Sequence, residues 1–201
     1  MTRIIAGDLG GRRIAVPPKG TRPTTDRVRE ALFSRLDHDD SLRAARVLDV
    51  YAGSGALGFE ALSRGAAHAT FVESGSQAAR VLQGNVKDLG VGARARLVRE
   101  KALSYLSRAT DTWDVAFLDP PYDIARDDLA AVLAVVEPRL APGAPVVLEW
   151  SSRAGDAPWP EGIEPLRSKD YGETRLHWAE RIGADQEGTE TEDGQSGSVA
   201  P

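Results

Sequence analysis

Two short motifs carry the residue types in this chain that could bind a ligand and act on it. Gly53, Gly55 and Gly58 form a G-x-G-x-x-G pattern, and a second motif consists of Asp119, Pro120, Pro121 and Tyr122. Glycines allow a tight turn and a close approach of the backbone to a ligand, and the N-terminus of a following helix favours an anionic group. In the second motif the prolines have no N–H, so carbonyl oxygens stay free to accept. The sequence therefore predicts a ligand-binding loop and a cluster of hydrogen-bond acceptors.

Two carboxylates flank the glycine pattern and indicate which ligand it binds. Glu73 lies 20 residues after Gly53 and could accept hydrogen bonds from both ribose hydroxyls of an adenosine. Asp49 lies four residues before Gly53, where it would repel a pyrophosphate and attract the ammonium and sulfonium groups of S-adenosylmethionine. The glycine pattern alone fits NAD equally well, so Asp49 favours S-adenosylmethionine. In another interpretation Asp49 is a cap or a carboxylate that braces the loop.

The Asp119 motif has the composition needed to activate an aromatic amine. The amine of a nucleic-acid base is a weak nucleophile because its lone pair is delocalised into the ring. The Asp119 carboxylate and the Pro120 carbonyl could accept its two N–H groups and aim the lone pair at a methyl donor. Tyr122 would stack on the base, a contact worth ~1–3 kcal/mol in comparable systems. By itself the tetrapeptide also fits a structural turn, but together with the glycine loop it predicts methyl transfer.

Both motifs need strands that end at the same edge of a sheet. From residue 46 onward, apolar runs alternate with helical patterns. We predict strands at 47–51, 69–73, 95–99, 114–119, 145–150, 164–169 and 174–180, and helices near 56–63, 76–89, 102–107 and 126–137. Repeated β-α-β units indicate an α/β fold with a mostly parallel, seven-stranded sheet covered on both faces. Ligands bind such sheets at the carboxyl ends of the strands.

The two ends of the chain differ from this middle part. Residues 1–40 are predicted to form a small hairpin, with strands near 3–7 and 13–16, and a helix preceded by capping residues 24–26. Residues 41–182 are predicted to form the Rossmann-like domain, and 183–201 an acidic disordered tail. Residues 1–35 carry eight Lys and Arg side chains against three acids. That excess suits a phosphate-binding surface, although a solvated surface explains it as well.

Composition excludes several kinds of site. The chain has no cysteine, which excludes disulfides, thiolate zinc sites and cysteine nucleophiles. Its three histidines are far apart in sequence, so we expect no metal. No apolar run approaches the ~20 residues that span a bilayer, and the N-terminus lacks the apolar core of a signal peptide. We therefore expect a cytoplasmic monomer without membrane contact.

The N-terminal residues narrow the class further. The runs Arg3-Ile4-Ile5-Ala6-Gly7 and Gly11-Arg12-Arg13, and residues 22–33 (Arg-Pro-Thr-Thr-Asp-Arg-Val-Arg-Glu-Ala-Leu-Phe), closely resemble the RsmD family, as does Asp-Pro-Pro-Tyr at 119–122. Members of that family are bacterial methyltransferases that modify N2 of one guanine in 16S ribosomal RNA. The resemblance covers about residues 3–181. It implies the class I S-adenosylmethionine-dependent methyltransferase fold, S-adenosylmethionine as cofactor, and 16S rRNA of the small ribosomal subunit as partner.

The resemblance also implies roles for individual residues. The target-amine site is Asp119, Pro120, Pro121 and Tyr122, and the cofactor site is Thr25, Asp49, Tyr51, Gly53, Gly55, Glu73, Lys101 and Ala102. A Lys side chain cannot accept from the adenine amine, so the Ala102 backbone amide is expected to make the adenine contact. The residues expected to face RNA are Arg12, Arg13, Arg22, Arg27 and Arg29, of which the last two point to different faces of a helix.

Three other functions stay open from the sequence. A DNA adenine N6-methyltransferase uses the same tetrapeptide, but it usually needs a larger target-recognition region. An NAD-dependent oxidoreductase would use the glycine pattern, but no Tyr-x-x-x-Lys pair is evident and Asp49 opposes it. A non-catalytic ribosome-assembly protein that binds RNA would keep the fold, but the intact Asp49, Glu73 and Asp119 disfavour it. We therefore predict an rRNA (guanine-N2) methyltransferase.

Overall fold

A computed structural model describes residues 1–17 and 26–183 of the chain. The predicted cofactor residue Thr25, the predicted RNA-facing residue Arg22 and the predicted tail from residue 184 onward lie outside the described residues. The chain opens with two very short antiparallel strands, β1 (Thr2–Arg3) and β2 (Arg13–Ile14). The predicted hairpin is therefore mostly a compact loop, because Gly7 and Gly11 adopt positive φ angles and turn the chain before longer strands can pair.

Seven further strands form one sheet. They are β3 (Arg46–Val50), β4 (His68–Val72), β5 (Ala95–Val98), β6 (Val115–Leu118), β7 (Pro145–Ser151), β8 (Ile163–Tyr171) and β9 (Thr174–Arg181). Their order is β5-β4-β3-β6-β7-β9-β8, with β9 antiparallel to both of its neighbours and the remaining pairs parallel. The central strand β6 is buried along its whole length because both faces of the sheet are covered. The predicted α/β fold with a mostly parallel seven-stranded sheet is confirmed.

Among the described residues, five α-helices cover the sheet: α1 (Asp26–His38), α2 (Ala56–Ser63), α3 (Ser76–Leu89), α4 (Ala102–Leu106) and α5 (Arg126–Val136). Helices α1, α2 and α3 pack on one face, here called the α1 face, where Phe33 meets Phe117 at 5.5 Å between ring centroids. Helices α4 and α5 pack on the opposite face around Trp113 and Leu133. Within the described ranges, no helix is long and apolar enough to cross a membrane.

The N-terminal residues are joined to helix α2 by polar contacts. The Glu60 carboxylate, which is fully buried, accepts the Ile5 and Ala6 amides at 2.7 and 3.1 Å. At Gly7 an added Cβ would lie 1.9 Å from the Ser63 carbonyl oxygen, so only glycine permits this close approach. Ile4 belongs to the same apolar core as the α1 face. Residues 1–17 are therefore packed onto the helix that follows the glycine pattern.

Candidate active site

The two predicted motifs lie at the same edge of the sheet. Val50, the last residue of β3, pairs with Val72 at the end of β4 and with Leu118 at the end of β6. The chain segments that follow these three strands begin with Tyr51, Glu73 and Asp119. Parallel strands in register end together, so these residues are neighbours at the carboxyl edge. The glycine loop and the Asp119 motif thus border one crevice, as ligand binding at this edge requires.

The glycine loop has a backbone that few other residues could adopt. Gly53 and Gly55 have φ angles of 55° and 82°. A Cβ on Gly55 would lie 2.4 Å from the Cδ1 atom of Leu82 on α3, so the loop also needs glycine for space. Tyr51 has a φ of 63°, an uncommon value for a residue with a side chain. The loop therefore makes its turn through three left-handed residues directly before α2.

Asp49 lies beneath this loop and is 1% exposed. Its carboxylate accepts the Gly58 amide at 2.9 Å, which the absence of a side chain on Gly58 permits, because a Cβ there would lie 2.3 Å from the Phe71 ring. Burial raises the pKa of Asp49 to about 8, against the opposing effect of that hydrogen bond, and Glu73 raises it further. This contact with the first turn of α2 fits the alternative in which Asp49 is a cap or a bracing carboxylate. The attraction of Asp49 for a cationic cofactor stays a prediction.

Glu73 connects the loop to the next strand end. Its carboxylate accepts the Gly53 amide at 2.8 Å and the Gly75 amide at 2.6 Å. A carboxylate has about four lone-pair positions, so two amides leave room for two hydroxyl donors. Glu73 therefore fits the ribose-binding role while it also fixes the start of the loop.

The Asp119 motif offers acceptors and an exposed ring. The Asp119 amide donates to the Val50 carbonyl at 3.3 Å, which extends β6 alongside β3. Burial raises the pKa of Asp119 well above its usual value, and the carboxylates of Glu149 and Asp49 raise it further. Pro120 is buried and Pro121 exposed, whereas the Tyr122 ring is 60% exposed. The Ser151 hydroxyl donates to the Tyr122 hydroxyl at 3.4 Å, so the ring stands at the rim of the crevice.

The predicted adenine-contact residues lie at the start of helix α4, after the carboxyl end of β5. The Lys101 side chain is exposed, and its carbonyl accepts the Tyr105 amide at 3.1 Å. Ala102 is the first residue of α4 and is 5% exposed. Amides in the first turn of a helix have no acceptor within the helix, so the Ala102 amide could serve a ligand. Its contact with adenine stays a prediction.

The predicted RNA-facing arginines fall into different environments. Arg13 is exposed, and Arg12 is exposed but donates to the Asp88 carbonyl and, at 3.0 Å, to the Leu89 carbonyl at the end of α3. The side chain of Arg27 lies outside the described residues. Arg29 is 1% exposed and donates to the Arg3 carbonyl at 2.8 Å. The prediction that Arg29 faces RNA is wrong, because its guanidinium is packed inside the protein.

Two residues of this region were missed by the sequence interpretation. Glu60 holds the N-terminal amides and lies 4.0 Å from the guanidinium of Arg29. Glu149 stands on β7 beside the Asp119 position. The signal for Glu149 was present in the sequence, since a carboxylate ends an otherwise apolar run at 145–148. An acid inside a predicted central strand is unusual unless it faces a site.

Comparison with known proteins identifies the family. Residues 2–180 match the family described as "Conserved hypothetical protein 95". The "Ribosomal RNA small subunit methyltransferase D" of Escherichia coli (strain K12) is 46% identical over 121 residues, which are 60% of this chain and 60% of that protein. That alignment spans less than two thirds of the relative. The protein of the same name from Haemophilus influenzae is 38% identical over 176 residues, 85% of this chain and 89% of that protein.

Solved structures agree with this match. The structure of yhhF from Escherichia coli is 37% identical, with a TM-score of 0.80 over 90% of this chain and 98% of that one. A SAM-dependent methyltransferase from Streptococcus mutans, 14% identical, shares the fold with a TM-score of 0.66 over 80% of this chain and 50% of that one. The predicted class I methyltransferase fold is confirmed. The chain belongs to the RsmD family, the family that its N-terminal runs and its Asp-Pro-Pro-Tyr motif resemble.

Proposed function

We propose that this protein transfers a methyl group from S-adenosylmethionine to the N2 amine of a guanine in 16S rRNA of the small ribosomal subunit. The observation that carries the proposal is the crevice in which the glycine loop after β3 and the Asp119 motif after β6 end side by side. Relatives named as small-subunit rRNA methyltransferases support the choice of substrate.

The residues on the glycine-loop side fit this cofactor. Asp49 is a buried carboxylate, and among the described residues no cationic side chain influences its pKa, so a cationic ligand would offset its burial. Glu73 has acceptor capacity left for the ribose hydroxyls beyond its two loop amides. The Ala102 amide, in the first turn of α4, is proposed to meet the adenine ring. When bound, S-adenosylmethionine supplies the methyl group.

On the other side of the crevice, the Asp119 motif holds the amine. The Asp119 carboxylate and the Pro120 carbonyl accept the two N–H groups of the guanine N2, and this draws its lone pair out of the ring. Tyr122 stacks on the base, which its exposed ring permits. Transfer of the methyl group to the nitrogen would break its bond to the sulfonium sulfur and leave S-adenosylhomocysteine, and the nitrogen would lose a proton. The raised pKa of Asp119 makes its carboxylate a suitable acceptor for that proton.

The N-terminal part of the chain is proposed to hold the RNA. Its exposed cation Arg13 can contact a phosphate, and Arg12 can do so with the part of its guanidinium that does not bind helix α3. The proposal divides the chain into three parts: an RNA-binding extension at residues 1–40, the catalytic part at 41–182 and an acidic tail from 183. A target guanine in a loop lowers the cost of leaving its stack.

The experiment that tests the function maps methylated bases. In small-subunit rRNA from a strain that lacks the gene, one guanine should lack the N2-methyl group that it carries in the parent strain. The purified protein with S-adenosylmethionine should restore N2-methylguanine at that position. Free rRNA and assembled particles are compared as substrates. Methylation of an adenine, or of DNA, in place of that guanine would contradict the proposal. Binding calorimetry with NAD and with S-adenosylmethionine tests the oxidoreductase alternative independently.

A further inference from the structure

Glu149 occupies a position beside the Asp119 motif that the proposed mechanism does not use. Strand β7 pairs in register with β6, so that Phe117 lies opposite Val147 and Leu118 opposite Leu148. The next residues along the two strands are Asp119 and Glu149. Adjacent parallel strands are about 4.8 Å apart, and residues in register point to the same face.

That face is the α1 face, which also contains Asp49. Phe117 pairs with Asp49 on β3 and with Val147 on β7, and both Phe117 and Val147 belong to the core of the α1 face. Side chains alternate along a strand, so Asp119 and Glu149 lie on this face too, one step closer to the carboxyl edge. Glu149 is half-buried and raises the pKa of Asp119 by repulsion, which agrees with two carboxylates at close range.

Two neighbouring carboxylates match the hydrogen-bond pattern of guanine and oppose that of adenine. The Watson–Crick edge of guanine carries the N2 amine beside an N1–H donor, whereas in adenine the amine stands beside an N1 acceptor. An ionised carboxylate only accepts, so it pairs with N1–H and repels a bare N1 lone pair. With the amine held by Asp119 and Pro120, a base can turn its N1 edge, rather than its N3 edge, toward the next strand, β7.

We infer that Glu149 accepts the N1–H of the target guanine and thereby sets the preference of this site for guanine over adenine. The inference rests on the proposed function, because it assumes that a base amine is held at Asp119. It assigns to Glu149 a contact with the base itself, distinct from the grip on the amine. A site built to accept a specific N–H repels the lone pair that the wrong base presents there, and this repulsion is the source of its selectivity.

The test replaces the methylated guanine, once mapped, with 2-aminopurine by RNA ligation. 2-Aminopurine keeps the N2 amine but has an acceptor at N1. For the unmodified protein we expect kcat/KM to be roughly 100-fold higher with guanine, as for the loss of one hydrogen bond to a charged group. The Glu149→Gln variant, whose amide can both donate and accept, should bring the two substrates within roughly fivefold. Glu180→Gln is the matched control and should keep the original ratio. Glu180 is an exposed carboxylate on β9, opposite Pro145 at the start of β7 and away from Glu149.

The outcomes separate the two proposals. A ratio near one for the unmodified protein overturns the role of Glu149, and this measurement needs no variant. The role of Glu149 is also overturned if Glu149→Gln leaves the ratio of kcat/KM between the two substrates unchanged. This includes the case in which both substrates lose activity equally while cofactor affinity is kept. If the unmodified protein methylates no guanine at all, the proposed function itself fails.

Discussion

The two sides of the crevice are built differently. On the glycine-loop side, the carboxylates of Asp49 and Glu73 accept three backbone amides, from Gly58, Gly53 and Gly75. On the Asp119 side, burial and then repulsion by Glu149 and Asp49 raise the pKa of the carboxyl group, and no hydrogen bond from the described residues lowers it. The glycine-loop side is therefore fixed by the protein itself, whereas the proposed acceptor on the other side is not held in this way by the described residues.

This difference between the two sides suits a crevice that would bind two ligands in turn. A cofactor site fixed by the backbone costs little reorganisation at each binding event, because its donors and acceptors are already placed. The Asp119 carboxylate, in contrast, is more stable once a donor reaches it, since an unpaired buried acceptor is costly. If Asp119 holds the amine, as proposed, the amine would supply that donor.

The largest effect is expected from removing the acceptor on the side of the crevice that contains Asp119. Asp119→Ala should lower kcat for methyl transfer about 1000-fold, because one of the two contacts that shape the amine is lost. Cofactor affinity should stay within about tenfold, since Asp119 is not part of the glycine loop. Single-turnover methylation and calorimetry measure the two effects. Asp119→Asn, which keeps one acceptor oxygen, serves as control and should retain more activity than the alanine variant.

On the glycine-loop side, Gly58→Ala should be the most damaging small change. The new Cβ would lie 2.3 Å from the Phe71 ring and 3.1 Å from the Asp49 carboxylate. We expect the free energy of unfolding to fall by about 1–3 kcal/mol, as overpacking usually costs, and cofactor binding to weaken. Gly84→Ala in helix α3 is the control, because nothing lies within 4 Å of its added Cβ. It should stabilise the protein by about 0.5–1 kcal/mol in urea unfolding; equal effects of the two changes would contradict the tight fit at Gly58.

The pH dependence of cofactor binding tests Asp49. Because the pKa of Asp49 is raised to about 8, its carboxyl is mostly neutral at pH 6 in the ligand-free protein. A cationic ligand prefers the ionised form, so affinity for S-adenosylmethionine should rise about tenfold from pH 6 to 7 and level off above pH 8. Calorimetry in Asp49→Asn, which keeps an acceptor for the Gly58 amide, should give a flatter profile. A flat profile in the unmodified protein would remove the proposed role of Asp49.

The raised pKa of Asp49 also makes the stability of the folded protein depend on pH. The folded state holds the Asp49 proton up to about pH 8, whereas the unfolded chain releases it near its ordinary pKa of 3.8. Between these values the folded state binds more protons, so this group lowers stability as the pH rises. The melting temperature of the ligand-free protein should therefore fall less from pH 5 to pH 8 in Asp49→Asn than in the unmodified protein.

The smallest expected effect distinguishes the two N-terminal arginines. Arg13→Gln should reduce the slope of log K against log salt for RNA binding by about 0.7–0.9, the value for one lost phosphate contact. Arg12→Gln should change the slope less and lower the unfolding free energy by about 0.5–1 kcal/mol, because Arg12 also binds the carbonyl end of α3. Filter binding between 50 and 200 mM salt is suited to both. Unchanged slopes in both variants would mean that this surface faces away from the RNA.

Local pattern predicted the part of the fold that contains the proposed cofactor residues. The strand predicted at 47–51 is β3 at Arg46–Val50, and the helix predicted at 56–63 has those bounds. Apolar runs closed by glycine mark such strand ends because both faces of the sheet are buried. The amide partners of Glu73 are also close in sequence, at residues 53 and 75, so the turn geometry alone brings them together.

Contacts between distant parts of the chain were not predictable in this way. The burial of Arg29 depends on Glu60 and on the Arg3 carbonyl, which lie on separate elements. An arginine in a basic run ordinarily indicates a solvated side chain, and nothing near it in sequence shows otherwise. The position of Glu149 depends on strand order and register, which become known once β7 is seen beside β6. Tertiary neighbours, and not helix or strand propensity, decide both residues.

The attachment of residues 1–17 to helix α2 has a consequence for substrate selection. Glu60, Ser63 and the close approach at Gly7 fix the first segment to the helix that starts at the glycine loop. If that segment holds the RNA, as proposed, the RNA would lie at a set distance from the transferred methyl group. The protein would then choose among many chemically identical guanines by the distance of each from the part of the RNA backbone that the segment holds. Deleting the segment would leave the fully buried Glu60 carboxylate without the amides that it accepts.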